Sequence, residues 1–126
     1  MTDVKDLMTV GPVTLDPEAK IEEAWKLMHR EYVRHIPVCK GDYLVGLVTQ
    51  RDLLVNAQNT SLLSLPVAEI MVFDVQTVDK DQPAAFAAQR MIDEKISCLP
   101  VVENGDLIGI VTDSDFLNLV IKMLSS

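Results

Sequence analysis

The hydrophobic positions of this chain follow two periods. From Glu18 to Glu31, Ile21, Ala24, Trp25 and Met28 recur at spacings of three and four, which predicts a helix with one apolar face. Ala84, Ala87, Ala88, Met91 and Ile92 do the same further on, with smaller side chains. After each helix come two apolar runs around a polar, Gly-containing turn, the mark of a hairpin. They are Ile36-Pro37-Val38-Cys39 with Leu44 to Val48, and Leu99-Pro100-Val101-Val102 with Leu107 to Val111. The second run of each pair is apolar throughout, which predicts a strand covered on both faces. A helix follows directly, from Gln50 or from Asp113. Ahead of the long helices, Val4 to Met8 and Val67 to Met71 read as helical turns. Pro12 to Leu15 and Val75 to Val78 read as short strands, each followed by an Asp (Asp16, Asp79) placed to cap the next helix. Asn56 to Leu65 joins the two series and is the least determined stretch.

The two series are copies. A shift of 63 residues carries Thr49 onto Thr112 and Asp52 onto Asp115. The same shift pairs Val4 with Val67, Met8 with Met71, Thr14 with Thr77, Met28 with Met91, Pro37 with Pro100 and Gly46 with Gly109, with no gap from residue 4 to residue 55. This is an internal duplication. It predicts two similar halves, residues 1–58 and 59–126.

Composition narrows the class. With 126 residues, 48% hydrophobic and 24% charged, the chain can bury a core without disulfides or metals. The net charge of −8 disfavours nucleic acid and anionic lipid as partners, so any bound phosphate needs a locally positive pocket. Cys39 and Cys98 form no CxxC motif and suit a reducing cytoplasm. The polar N-terminus does not read as a signal peptide, and no apolar run is long enough to span a bilayer. From Phe116 to Leu124 only Asn118 and Lys122 are polar. That exceeds what one covered face needs and predicts a subunit contact.

Candidate chemistry concentrates after the second strand of each hairpin. Gly46-Leu47-Val48-Thr49-Gln50-Arg51-Asp52 and Gly109-Ile110-Val111-Thr112-Asp113-Ser114-Asp115 each run a buried strand into a helix, with Thr at the junction and Asp one turn later. A Thr hydroxyl at a helix start suits an anion, and the carboxylate can accept from two sugar hydroxyls. A single copy would read as a plain helix cap. Two copies in register favour a ribose-phosphate site. His29, His35 and Cys39 do not recur in the second half, which argues against a metal site there.

These motifs, with Val4 to Thr9, Arg34-His35-Ile36-Pro37-Val38, Val67 to Met71 and Ile96 to Val101, resemble two CBS motifs, named for cystathionine β-synthase. The chain is thus similar to a tandem CBS pair, or Bateman module, over nearly its whole length. The resemblance implies an α/β (α+β) fold of two β-α-β-β-α repeats related by pseudo-two-fold symmetry, with adenosine compounds such as AMP, ADP or ATP held between them. It implies that Asp52 and Asp115 hold ribose hydroxyls, and that Thr49, Thr112, Arg34, Ser97, Arg51 and Ser114 face phosphates. Backbone near Val13-Thr14 and Gln76-Thr77, with apolar Ile36, Leu47, Leu99 and Ile110, would enclose the adenine. It further implies a non-catalytic regulatory module that requires no cofactor, forms a homodimer and acts on an effector protein in trans or through its own association.

The halves differ in charge. Arg34 and Arg51 stand where the second half has Ser97 and Ser114, and Asp113 stands opposite Gln50. Guanidinium groups grip phosphate strongly, so a phosphorylated nucleotide is expected at Asp52, and the Asp115 pocket is expected to be weaker, empty or suited to a less charged adenosine ligand. The alternative is an oligomerisation or docking module with vestigial pockets. An enzyme ranks third, because no paired acid and base and no metal cluster is apparent.

Overall fold

A computed structural model describes residues 1–56 and 58–125. Along the chain the elements are α1 (Val4–Leu7), β1 (Thr9–Val10), α2 (Ile21–Glu31), β2 (His35–Lys40), β3 (Tyr43–Thr49) and α3 (Gln50–Asn56), then α4 (Ala84–Glu94), β4 (Cys98–Glu103), β5 (Asp106–Thr112) and α5 (Asp113–Ser125). Single 3-10 turns at Thr60–Ser64 and Val67–Glu69 lie between the two series. Both hairpins form as their sequence pattern predicts, each with a bulge late in its first strand, at Val38/Cys39 and at Val101/Val102.

The chain divides into two compact units, and their boundaries differ from those of the sequence repeats. One unit is Val13–Val75. The other joins Met1–Pro12 to the chain from Gln76 onward. Each hairpin is therefore completed by the short segment that opens the opposite repeat. In the first unit the hairpin gains Val72, whose N–H and C=O bond Leu47 at 2.9 and 3.0 Å. In the second unit β1 pairs antiparallel with β5, Thr9 opposite Ile110 and Val10 opposite Gly109.

Gly46 and Gly109 permit these close approaches. A Cβ at Gly46 would lie 2.5 Å from Met71 Sδ and 3.0 Å from the Val72 carbonyl oxygen. At Gly109 it would lie 2.7 Å from Met8 Sδ and 3.0 Å from the Thr9 oxygen. The missing side chain admits a neighbouring backbone.

Each unit has its own core. Ile21, Ala24, Leu27 and Met28 of α2 pack on Ile36, Val38 and Val48, with Leu53, Val67 and Met71 closing the cluster. In the other unit Ala87 and Met91 of α4 pack on Leu99, Val101 and Val111, with Val4 and Val78. Trp25 is half-buried against the first core, whereas Ile92 is 70% exposed and does not join the apolar face that its spacing predicts.

Two further expectations need correction. Pro12 to Leu15 and Val75 to Val78 do not form strands. Each makes a single parallel bridge, Leu15 to Val38 and Val78 to Val101. Leu15 donates to the Pro37 carbonyl and accepts from Cys39 N–H. The next rung would need an N–H from Pro37, or from Pro100 in the second unit, and proline has none. The first long helix begins at Ile21 rather than Glu18, because Asp16 closes a local turn instead, its Oδ1 accepting from Glu18 N–H at 2.9 Å. Ile21 N–H then bonds the Leu65 carbonyl and Ala19 O accepts from Val67 N–H, which fixes the helix start against the incoming chain. Asp79 closes the same kind of turn with Asp81 N–H.

Candidate functional site

The register gathers the candidate residues of each unit at one end of its strands. In the first unit β2 begins where β3 ends, His35 opposite Thr49. The Leu15 to Val38 bridge runs parallel to β2, so Thr14 lies toward that same end. Arg34 precedes β2, and its carbonyl accepts from Gln50 N–H at 2.8 Å, tying it to the start of α3. In the second unit Cys98 lies opposite Thr112, Thr77 precedes the bridging Val78, and the Ser97 carbonyl accepts from Asp113 N–H at 3.0 Å. Each unit thus assembles its own corner.

Within each corner Thr and Asp bond each other. Thr49 N–H donates to Asp52 Oδ2 at 3.1 Å and its hydroxyl donates to the same oxygen at 2.8 Å, while Asp52 N–H donates back to Thr49 Oγ1 at 3.2 Å. This is a reciprocal capping box at the start of α3. In the second corner Thr112 N–H reaches Asp115 Oδ2 at 2.8 Å, but the hydroxyl lies 3.4 Å away, a much weaker bond. The cap and the ligand readings of these residues are compatible, because only Oδ2 is engaged. Among the described residues no hydrogen bond reaches Oδ1 of Asp52 or Asp115. A half-buried carboxylate oxygen held in place by its own cap is a pre-oriented acceptor for hydroxyl donors.

The hydroxyls are less ready for phosphate. Thr49 has one proton and it already goes to Asp52, so donation to a phosphate requires breaking that bond. Arg34 and Arg51, the cationic residues next in sequence to the strand and helix ends of the Asp52 corner, are both exposed. The Asp115 corner holds exposed Ser114 and half-buried Ser97, and Asp113 Oδ1 accepts from Ser114 N–H at 2.9 Å. By residue type the first corner carries two arginines with Asp52, and the second carries Asp113 with Asp115.

The expected apolar walls divide. Ile36 and Leu99 have no exposed surface and belong to the cores, because they share the strand face that α2 or α4 covers. Their side chains are closed to a ligand, a correction to the enclosing set. Leu47 and Ile110, also buried, point to the opposite strand face from Val48 and Val111 and belong to neither core cluster. Val13 and Thr77 are half-buried and Thr14 is exposed.

The structure adds one residue that the motifs did not single out. Arg90 of α4 donates through Nη1 to the Thr77 carbonyl at 2.5 Å, through Nη2 to Gln76 Oε1 at 2.6 Å and through Nε to Glu94 Oε2 at 3.1 Å. Its guanidinium also lies 6.0 Å from the Phe86 ring centre. The 63-residue shift places Leu27 there in the first half, so the sequence signal was a break in the repeat. Of the two buried thiols, burial pushes Cys98 up to about 12 and also raises Cys39. Among the described residues no group of three His, Cys, Asp or Glu could hold a metal ion, and no helix is long and apolar enough to cross a membrane.

Two copies of one mixed helix–sheet unit, each with a Thr–Asp corner after the hairpin, define a tandem repeat module. The chain belongs to the CBS domain family, whose model matches residues 4–58 and 67–122. It is similar to AcuB from Vibrio cholerae, a protein ascribed to acetoin utilization, with 37% identity, a TM-score of 0.91 and 99% and 94% of the two chains covered. The CBS domain pair of protein MJ0100, solved with 5′-methylthioadenosine and S-adenosyl-L-methionine, matches at 30% identity and a TM-score of 0.88 over 98% of each chain. CBSX2, solved with AMP, matches at 25% identity and 0.86, again over 98% of each. The homoserine O-acetyltransferase of Methanococcoides burtonii is 38% identical over 121 residues, and the chain spans only 24% of that protein's length.

Proposed function

We propose that this chain is a non-catalytic regulatory module that binds adenosine-containing ligands at its two Thr–Asp corners. The observation that carries the reading is the uncommitted Oδ1 of Asp52 and Asp115, each on a carboxylate already oriented by its cap. That oxygen suits the paired hydroxyls of a ribose. Related CBS pairs solved with AMP, or with 5′-methylthioadenosine and S-adenosyl-L-methionine, support adenosine as the shared chemistry. In this reading Val13-Thr14 and Gln76-Thr77 meet the base together with Leu47 and Ile110. Arg34 and Arg51 take phosphate, with Thr49 exchanging its hydroxyl bond on binding. Thr112, Ser97 and Ser114 serve a ligand of lower charge. AMP, ADP or ATP therefore belongs to the Asp52 corner and a neutral or cationic adenosyl compound to the Asp115 corner.

The output follows from differential affinity. A ligand that prefers one arrangement of the module shifts the population toward it, and a partner protein or a second copy reads the change. Self-association is supported by α5, where Leu117, Ile121, Met123 and Leu124 are exposed to between 60% and 80%. The two free cysteines fit action in a reducing cytoplasm.

A thermal-shift panel of AMP, ADP, ATP, 5′-methylthioadenosine, S-adenosylmethionine and GTP tests the reading. A ligand at one hundred times its Kd stabilises the native state by about 2.7 kcal/mol. Adenosine compounds should raise the melting temperature and GTP should not. A flat panel would favour a docking module instead.

A further inference from the structure

We infer that Arg90 is a positioning residue that fixes the Gln76-Thr77 backbone as the base edge of the Asp115 corner, and that it makes the two corners differ in pre-organisation as well as charge. The inference rests on the reading of Gln76-Thr77 as the segment that meets adenine. Without Arg90 this segment is weakly held. Val78 secures it to β4 through one bridge, Val78 N–H to the Pro100 carbonyl and Val102 N–H to the Val78 carbonyl. Pro100 forbids the next rung, so Gln76 and Thr77 have no ladder of their own.

Arg90 supplies what the ladder lacks. Its side chain is only 22% exposed, and its planar fork bonds the Thr77 carbonyl and the Gln76 amide oxygen together while Glu94 holds the third N–H. Accepting at Oε1 also sets the Gln76 amide, which leaves its NH2 group as the donor on that edge. In the first unit the corresponding Thr14 carbonyl has no such partner among the described residues, and Leu27 in place of Arg90 is buried in the core. The Asp52 corner must order its base edge when a ligand arrives, whereas the Asp115 corner has that edge ordered in advance. Ordering on binding subtracts from affinity.

The test compares wild type, Arg90→Leu, which copies the first unit, and Arg90→Lys, which keeps the charge and one donor. Calorimetry with 5′-methylthioadenosine in an Asp52→Asn background reads the Asp115 corner, and AMP in an Asp115→Asn background reads the other. Arg90→Leu should weaken 5′-methylthioadenosine about five- to tenfold and leave AMP within twofold, with Arg90→Lys in between. Amide exchange at Val78 and Val102, whose N–H groups form the single bridge, should quicken in the same order in the free protein. A lower melting temperature with both affinities unchanged would overturn the inference and leave Arg90 a merely structural tie. If wild type binds neither compound, the adenosine reading itself fails and takes the inference with it, a result distinct from binding that ignores Arg90.

Discussion

Replacing Gly46 with alanine tests why the opening segment of one repeat completes the hairpin of the other. The added Cβ would sit 2.5 Å from Met71 Sδ, 2.9 Å from Met71 Cγ and 3.0 Å from the Val72 carbonyl oxygen. The sulfur can swing aside, but the carbonyl belongs to backbone held by two hydrogen bonds to Leu47. Overpacking of this kind costs about 1–3 kcal/mol. Against it stands about 0.4–1 kcal/mol gained because alanine loses less freedom than glycine on folding. The net expectation is a loss of about 1–2 kcal/mol, a fall in melting temperature of roughly 3–8 °C for a chain of this size. Urea titration of Gly46→Ala, Met71→Ala and the double variant measures it. The double variant should be less destabilised than the two singles together, because removing the Met71 side chain relieves part of the clash. A neutral Gly46→Ala, or strictly additive costs, would refute the close-approach argument.

Other consequences follow from the same geometry. Thr49→Ala removes both hydroxyl bonds of its capping box and should cost about 1 kcal/mol, whereas Thr112→Ala, whose hydroxyl bond is 3.4 Å long, should cost less in the same denaturation assay. Burial holds the Cys98 thiol up to about 12 in the folded state against an ordinary 9.0, so the unfolded chain gives up its proton first. Stability should fall as pH rises through that window, more steeply in wild type than in Cys98→Ala. At pH 8 the native thiol should resist a thiol reagent that modifies the urea-unfolded chain at once. If the proposed self-association runs through the exposed apolar side of α5, Ile121→Glu should lower the mass read by light scattering, and an unchanged mass would count against that interface.

The hairpins, the long helices and the duplicated corner were legible because each rests on local periodicity or on the 63-residue shift. What escaped was set by residues distant in sequence. The bridge at Val72 and strand β1 exist only because Gly46 and Gly109 face a segment from the opposite repeat, which no local window contains. The predicted strands at residues 12–15 and 75–78 shrank to one rung each because Pro37 and Pro100 belong to the partner strand. Helix α2 lost its first turn to the local Asp16–Glu18 turn, and its start is fixed by Leu65 and Val67, which are remote in sequence. At the corners the residue types were readable, while the division of labour between Oδ1 and Oδ2 was not. Ile36 and Leu99 follow a pattern that marks them as apolar without saying which face they occupy. Arg90 broke the repeat visibly, but its role depended on a carbonyl thirteen residues earlier.

Calorimetric titration of AMP into Asp52→Asn and Asp115→Asn addresses the role of the Thr–Asp corners most directly. Asparagine keeps an acceptor for the Thr N–H and so preserves much of the cap, which separates binding from folding. AMP affinity should fall at least tenfold in Asp52→Asn and change far less in Asp115→Asn. Full AMP affinity in both variants, or a larger loss from Asp115→Asn, would contradict the account.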